Sequence, residues 1–202
     1  MSVRRSYQSA RAELLAAAFQ EILHTGFQAA SLSRILQQCR VTKGALYHHF
    51  RHKKALGLAV LDEIIRPEIE RMWMQPVIDS GDPLSALHGI VQDNKAIITE
   101  EFIQHGCPLN NLAQEMSSLD NDFRVRIEAL YADWRQCWAQ ALRQGQQDRK
   151  VRSDINVEHA VTFIIAALEG CIGMAKNAGS RDVLFFCTDG LIVYLDTLKD
   201  EA

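Results

Sequence analysis

Apolar residues recur at spacings of three and four along most of the chain, which is the pattern of helices that bury one face. No stretch alternates apolar and polar residues as a half-buried strand does. The first helix is predicted over residues 8–24, with Gly26 as its C-terminal stop. Later helices are predicted over residues 82–102, 109–118, 120–147, 156–176 and 181–198. The pattern therefore predicts an all-α fold of about nine helices.

Two short amphipathic helices follow the first helix and are joined by a turn at residues 39–41. Ser31 is placed to cap the first of them and Thr42 the second, which turns Leu46 and Phe50 inward. The residues left on its outer side are Thr42, Lys43, Gly44, Tyr47 and His48. A packed helix, a short turn and a helix with exposed polar residues form a helix-turn-helix, whose second helix enters the major groove of DNA.

The segment TKGALYHHF at residues 42–50, followed by Lys53 and Leu56, resembles the TetR/AcrR family of bacterial transcriptional regulators. The resemblance rests on about a quarter of the chain. It implies a three-helix DNA-binding head at residues 1–54 and a larger helical domain at residues 55–202 that binds an effector and dimerises. Two positions depart from the family pattern. Arg40 stands where the turn often has glycine, and His52 stands where serine or asparagine usually caps the fourth helix.

The predicted DNA-binding residues lie on the two helices of this motif and just beyond them. Lys43 is expected to reach a base edge, and Gly44 is expected to let the backbone come close to the DNA. The resemblance also implies that other residues of this set contact phosphates, because most contacts of DNA-binding proteins are made with the DNA backbone. The full set is Ser31, Arg34, Thr42, Lys43, Gly44, Tyr47, His48 and Lys53.

The charge is distributed unevenly between the two predicted domains. Residues 1–54 contain nine Lys and Arg against two Glu, whereas residues 55–202 contain thirteen against twenty-three Asp and Glu. A basic module suits a double-stranded DNA partner, because phosphate contacts supply most of the non-specific affinity. A solvated charged face is the alternative, but the positive charge coincides with the motif.

A fourth helix is predicted to begin near Lys53, to run into the larger domain and to be kinked or broken near Arg66 by Pro67. The resemblance gives this helix the role of mechanical link between the two domains. Lys54, in its first turn, is unfavourable with the helix dipole. It is expected to be tolerated by facing a phosphate.

Aromatic and apolar residues from four predicted helices are candidates for the lining of a small-molecule pocket. Plain core packing is the alternative for each of them. The set is Trp73, Phe102, Cys107, Met116, Tyr131, Trp134 and Trp138. Cys107, directly before Pro108 at a predicted helix start, is either a reactive thiolate favoured by unpaired amides or a structural cysteine.

The last two helices are apolar around more than one face, notably at residues 163–175 and 183–195. Such helices must be buried, and a pair repeated by a two-fold axis makes a four-helix dimer interface. A homodimer also suits a reader of two half-sites one DNA turn apart. The residues predicted at the interface are Ile164, Leu168, Cys171, Leu191 and Tyr194. Burial within one monomer is the alternative.

Several classes of chemistry are disfavoured by the sequence. Catalytic clusters, glycine-rich phosphate loops and metal-ligand motifs are absent, so no enzymatic activity, cofactor or metal is expected. His48 and His52 are four residues apart, but phosphate-facing or solvated histidines are favoured over a metal site. Five scattered cysteines argue against a disulfide framework and structural zinc. The absence of a long uncharged apolar run argues against a signal peptide or membrane span, so a cytoplasmic location is expected.

Together these patterns predict a homodimeric, ligand-responsive transcriptional regulator, expected to be a repressor that an unknown small effector releases from operator DNA. Two alternatives remain open at this point: an architectural DNA-binding protein that senses no ligand, and an α-helical enzyme. Activation in place of repression also remains open.

Overall fold

The computed structural model describes the backbone of residues 2–200 and, apart from residues 2–9 and 93–97, their side chains. The helices of these residues are α1 Ser2–Thr25, α2 Leu32–Gln38, α3 Lys43–His49, α4 from Lys53 to Ile78, α5 Pro83–Ile97, α6 Glu100–His105, α7 Pro108–Met116, α8 Asn121–Gln147, α9 Val157–Ala178 and α10 Arg181–Asp196. One isolated antiparallel bridge joins Val151 and Lys199. The predicted all-α fold is therefore confirmed for the described residues.

Helix α4 keeps a helical backbone throughout and is not interrupted by Pro67. Its α-helical segments, Lys53–Val60, Arg66–Ile69 and Gln75–Ile78, are separated by π-helical segments at Leu61–Ile65 and Glu70–Met74. The predicted break is wrong for a physical reason. The backbone amide of Arg66 bonds to the carbonyl of Leu61, five residues back, so the wider turn before Pro67 makes room for the proline ring.

The predicted helix over residues 82–102 is two helices. Asp82 caps α5 by accepting hydrogen bonds from the amides of Leu84 and Ser85, both at 3.1 Å. Thr99 then caps α6 by accepting one from Phe102 N at 3.1 Å. A threonine inside an apolar-periodic run can thus start a new helix, because its hydroxyl competes for the backbone amides.

The chain forms two compact units. The first, the head unit, contains the chain up to Glu68 together with Pro108–Ile127. The second, the body unit, contains Ile69–Cys107 and the chain from Glu128 onward. This division departs from the boundary predicted after residue 54, because α7 and the first turns of α8 pack with the head.

Close contacts in the head unit explain why α7 and α8 belong to it. The rings of Phe27 and Phe123 lie 4.6 Å apart, and a Cβ atom at Gly57 would overlap the Phe27 ring. The carboxylate of Glu115 accepts hydrogen bonds from Phe27 N at 2.8 Å and Gln28 N at 2.7 Å. The last turn of α7 therefore holds the chain just before α2.

The core of the body unit is formed by α8, α9 and α10, whose inward apolar residues are almost fully buried. Among the described residues, α9 is the helix that is long and apolar enough to cross a membrane. About half of its apolar stretch is buried inside the protein. Burial of its inner face explains its apolar composition.

A disulfide joins α9 to α10, contrary to the prediction from the cysteine pattern. Cys171 and Cys187 are bonded, with their Cα atoms 5.4 Å apart, whereas Cys39, Cys107 and Cys137 are free thiols. The odd count and scattered positions hid this pair, because the two cysteines approach each other only when the two helices pack together.

Replacing Cys171 and Cys187 together with serine is expected to lower the free energy of unfolding by about 3 kcal/mol, because the bond closes a loop of 16 residues. Urea unfolding of oxidised protein measures this difference. The oxidised Cys137→Ser protein, which keeps the bond, is the control. Wild-type protein with reductant should resemble the double variant, and an unchanged midpoint in oxidised double variant would contradict the role of the bond.

Candidate DNA-binding, effector and dimer sites

The recognition helix α3 is held by its buried side and presents the predicted residues outward. Thr42 caps it, its hydroxyl accepting a hydrogen bond from Ala45 N at 3.2 Å. Leu46 and Phe50 anchor it in the head core. The exposed side contains Thr42, Lys43, Gly44, Tyr47 and His48. The structure therefore brings five of the eight predicted DNA-binding residues to one open surface.

Arg34 and Ser31 occupy a different environment from the one predicted. The guanidinium of Arg34 donates to the Glu21 carboxylate at 2.6 Å and to the Ala29 carbonyl at 2.8 Å. Ser31 N donates to the same carboxylate at 3.0 Å, and the Ser31 side chain makes no capping bond. Burial opposes the charge of Glu21, but Arg34 and the amide hold its pKa below the usual value. Arg34 thus braces α1 against α2, and its contact with DNA stays a prediction.

Lys53 is also engaged within the head. Its ammonium donates to the Gln28 carbonyl at 2.8 Å and lies 4.9 Å from the centre of the Phe27 ring. Burial lowers the pKa of this half-buried amine. These contacts show that Lys53 fixes α4 to the turn before α2, and its predicted contact with a phosphate stays a prediction.

The two departures from the family pattern, His52 and Arg40, and the unfavourable position of Lys54 have structural explanations. His52 caps α4, with Nδ1 accepting from Ala55 N at 3.1 Å. Lys54 pairs with Asp120 at 2.7 Å and Asp122 at 2.6 Å, so it does not need a phosphate. Arg40 is not among the described residues with positive φ, so the turn needs no left-handed residue there.

One exposed cation beside α3 was missed by the sequence reasoning. Arg51 directly follows the buried Phe50 and is exposed. Its position one residue beyond TKGALYHHF was the available signal, but Lys53, which is part of the family motif, was predicted in its place.

Four aromatic residues of the predicted effector set form one cluster in the body unit. Trp73 and Trp134 stack with centroids 5.8 Å apart, and Tyr131 lies parallel to Trp134 at 6.2 Å. Trp138 meets Trp134 edge-on at 5.3 Å and donates from Nε1 to the Trp73 carbonyl at 2.8 Å. The Nε1 atom of Trp134 is buried without a protein partner. Trp134 is thus the centre of the cluster, and its indole N–H makes no hydrogen bond within the protein.

The other three predicted pocket residues are placed differently. Met116 is buried on α7 and belongs to the head unit. Phe102 is half-buried on α6. Cys107 is buried in the body unit, with its thiol facing the Glu169 carboxyl. A buried thiol beside an acid does not have the exposed, electropositive surroundings of a reactive cysteine.

Glu169 is the polar residue of this region that sequence reasoning missed. It lies on the inner face of α9 and is only 6% exposed, and neither carboxyl oxygen has a hydrogen-bond partner. Tyr131 and Cys107 face it. The available signal was a single acid inside the apolar run FIIAALEGCIGMA.

Four of the five residues predicted at the dimer interface are buried inside the chain's own core. They are Ile164, Leu168, Cys171 and Leu191, and Tyr194 is half-buried against the Phe163 ring at 4.6 Å. Burial inside the chain disfavours an interface role for these four, whereas Tyr194, beside the exposed Phe163, stays a predicted interface residue. The two helices expose a separate apolar stripe, called here the outer face: Phe163, Gly170, Met174, Phe186 and Val193. We therefore propose the outer face, in place of the buried one, as the surface for dimerisation.

An exposed recognition helix on a braced helix-turn-helix, together with a separate helical body, defines a two-part DNA-binding regulator. The family model for bacterial regulatory proteins of the tetR family matches residues 14–60, and the model for the tetracyclin repressor-like C-terminal domain matches residues 83–185. The chain belongs to the TetR family of bacterial transcriptional regulators.

Individual relatives agree with this membership. Transcriptional regulator AcuR of Cereibacter sphaeroides is 28% identical over 168 residues, which cover 83% of this chain and 76% of that protein. Transcriptional repressor DhaR of a Mycobacterium species is 26% identical, with 86% of each chain covered. A solved TetR regulator from Rhodobacter sphaeroides has a TM-score of 0.81 at 27% identity, covering 92% of this chain and 98% of that one. A regulator from Cytophaga hutchinsonii has a TM-score of 0.87 at 18% identity, with 98% of each chain covered, and shares the fold.

Proposed function

We propose that this protein is a cytoplasmic, homodimeric repressor that binds operator DNA through α3 and is released when a small effector binds in the body unit. Similar proteins named as repressors, such as DhaR, support repression over activation. The observation that carries the DNA-binding part is the open surface of α3, on which Lys43, Tyr47 and His48 face outward while Glu21, Arg34 and Lys53 fix the scaffold behind it.

The effector part rests on the aromatic cluster around Trp134 and on the buried polar atoms beside it. A core that only needed to pack would fill this region with apolar atoms, because each unpartnered buried polar group costs stability. Glu169 and the Nε1 atom of Trp134 are two such groups in one unit. This arrangement supports ligand sensing over an architectural role in which no ligand is bound.

Two routes in the chain join the body to the head, and both are parts of the proposed mechanism. Helix α4 runs from Lys53 into the residues around Trp73. Cys107, which faces Glu169, is followed at once by α7, whose Glu115 holds the amides of Phe27 and Gln28. The chain therefore has a second connection between body and head besides α4, the mechanical link that the resemblance implies. An effector shifts the equilibrium only by its differential affinity for the two conformations.

Lys43→Ala is expected to change sequence preference, with a cost of about 1–3 kcal/mol at the base that Lys43 reads. Arg51→Ala, which we assign to phosphate in place of Lys53, is expected to weaken all duplexes alike and to lower the salt slope by about one. Selection from random duplex DNA, followed by titrations at several salt concentrations, measures both effects. Equal changes in specificity for the two variants would contradict these roles.

Trp134→Phe is expected to raise the effector concentration needed for operator release by about tenfold, if the tryptophan edge contacts the ligand. Its cost in stability should be that of the cavity left by the smaller ring, without a lost hydrogen bond, because Trp134 Nε1 has no protein partner. Trp138→Phe is the matched control. It breaks the bond to the Trp73 carbonyl and should cost about 1–3 kcal/mol of stability without a comparable change in response. Operator release by a compound found in a screen is the measurement, and equal release curves for Trp134→Phe and wild type would refute the contact.

A further inference from the structure

The Glu169 carboxyl is a buried acid that the fold leaves without a partner. It lies on α9 and is 6% exposed, and both of its oxygens lack a hydrogen bond. The Tyr131 hydroxyl and the Cys107 thiol face it, and both favour its charged form, but neither of them carries a positive charge. A buried carboxylate is normally paired with a cation or with several donors, because its desolvation is costly. The group is therefore poised to gain from a positive partner.

Aromatic faces lie next to this acid. Tyr131, which faces Glu169, is stacked parallel to Trp134, and Trp134 is stacked on Trp73. The π-face of an aromatic ring is negative and attracts cations, most strongly for tryptophan and in a desolvated site. Burial raises the pKa of Tyr131, with a further contribution from Glu169, so its hydroxyl stays neutral near pH 7. The region therefore combines one buried acid with neighbouring aromatic rings.

We propose that the body unit binds a small organic cation, an ammonium compound with an apolar body, whose charge is held by Glu169 beside Tyr131 and Trp134. This inference rests on the proposed function, because it names the class of effector that the body would sense. An anion would be repelled by the same carboxylate. A neutral apolar ligand would leave the acid buried and unpaired. A cation is therefore the ligand class that suits both the buried acid and the aromatic rings beside it.

Proton exchange should accompany binding. Burial raises the pKa of Glu169 to about 7, so near neutral pH the carboxyl is partly protonated before a ligand arrives. A cation favours the charged carboxylate and expels that proton. Cys107 and Tyr131 are the other titratable groups that face Glu169, and Tyr131 does not titrate in this range. Cation affinity should therefore rise with pH through about 7 and level off above it.

The test uses full-length protein and calorimetry at pH 8 with tetramethylammonium, tetraethylammonium and phenyltrimethylammonium. Tert-butylbenzene, which has the shape of the last cation without its charge, is the neutral counterpart. At least one cation should bind, and phenyltrimethylammonium should bind about tenfold or more tightly than tert-butylbenzene. Glu169→Gln should remove that preference and leave tert-butylbenzene binding unchanged. Glu128→Gln, which alters an exposed acid on α8, should behave as wild type.

Wild-type protein provides a readout that does not depend on any variant. Calorimetry in buffers of different ionisation enthalpy should show proton release on cation binding at pH 7 and almost none at pH 8.5. The proposal is overturned if no cation binds, if Glu169→Gln binds cations as wild type does, or if no proton is released at pH 7.

Operator release separates this proposal from the function on which it rests. Release by a neutral or anionic compound, with no cation binding, would overturn the cation site and leave the ligand-responsive repressor intact. Glu169-dependent cation binding that never changes operator affinity would support the site and overturn its role as the effector site. Release of the operator by the same cation that Glu169 holds would support both.

Discussion

Phe186→Arg is expected to yield a folded monomer whose operator affinity has fallen by a factor of about 10²–10⁴, the advantage that two linked reading heads have over one. Phe186 is 74% exposed on the outer face, and an added Cβ at Gly170 or Gly190 meets nothing within 4 Å. Such an open apolar stripe is suited to a second copy of the same two helices. Equilibrium sedimentation and operator titration measure the two effects.

Two further substitutions make this result specific. Ile78→Arg changes an exposed apolar residue at the end of α4, outside the outer face, and should remain dimeric. Leu168→Arg changes a residue that is 4% exposed in the core and should unfold the protein, because it buries an unpaired charge. A dimer of undiminished stability in Phe186→Arg would remove the outer face from consideration as the interface.

Wild-type protein is expected to lose about 3 kcal/mol of unfolding free energy between pH 4.5 and pH 8 relative to Glu169→Gln. The pKa of Glu169 is raised from its ordinary value of 4.5 to about 7 in the folded protein, chiefly by burial. Between these values the folded state retains a proton that the unfolded state has released. The contribution of Glu169 is thus greatest below pH 4.5 and is lost as pH rises through 7.

Urea unfolding of both proteins across this pH range, at one protein concentration, measures the difference. Carboxyls whose pKa is lowered, such as Glu21, Glu63 and Asp82, change stability in the opposite sense, but they are common to both proteins and cancel. Any fixed cost of the glutamine amide is independent of pH. Parallel stability curves for the two proteins would show that Glu169 keeps an ordinary pKa in the folded protein.

Local signals in the sequence were sufficient for most of the fold. The caps Thr42, Asp82 and Asn156 start helices where they were predicted, since capping depends on residues within one turn. The stop at Gly26 was predicted for the same reason, and this residue has a φ of 79°. Non-local contacts were not accessible. Glu115 reaches the amides of residues 27 and 28 across more than eighty positions, and no periodicity signals such a bond.

In the candidate sites, too, local features were predicted from the sequence and non-local contacts were not. The outward side of α3 follows from helix geometry, so its exposed residues were predicted correctly. Whether a basic residue there is free depends on its neighbours in space. Arg34 and Lys53 are held by Glu21 and by the carbonyl of Gln28. On α9 the helical period of the apolar residues was clear, but both sides of the helix are apolar. Which side faces inward is decided by the packing of α10 against it.

The head unit is formed by two separate segments of the chain. A functional DNA-binding head therefore cannot be transferred to another protein as one continuous segment. A fragment that ends at residue 54 or at Glu68 lacks Phe123, which packs on Phe27, and Glu115, which holds the amides before α2. A hybrid regulator built by exchanging only the N-terminal segment would pair one protein's α2 with another protein's α7. Residues 108–127 should therefore be transplanted together with the N-terminal segment, so that the reading surface and its support come from the same parent.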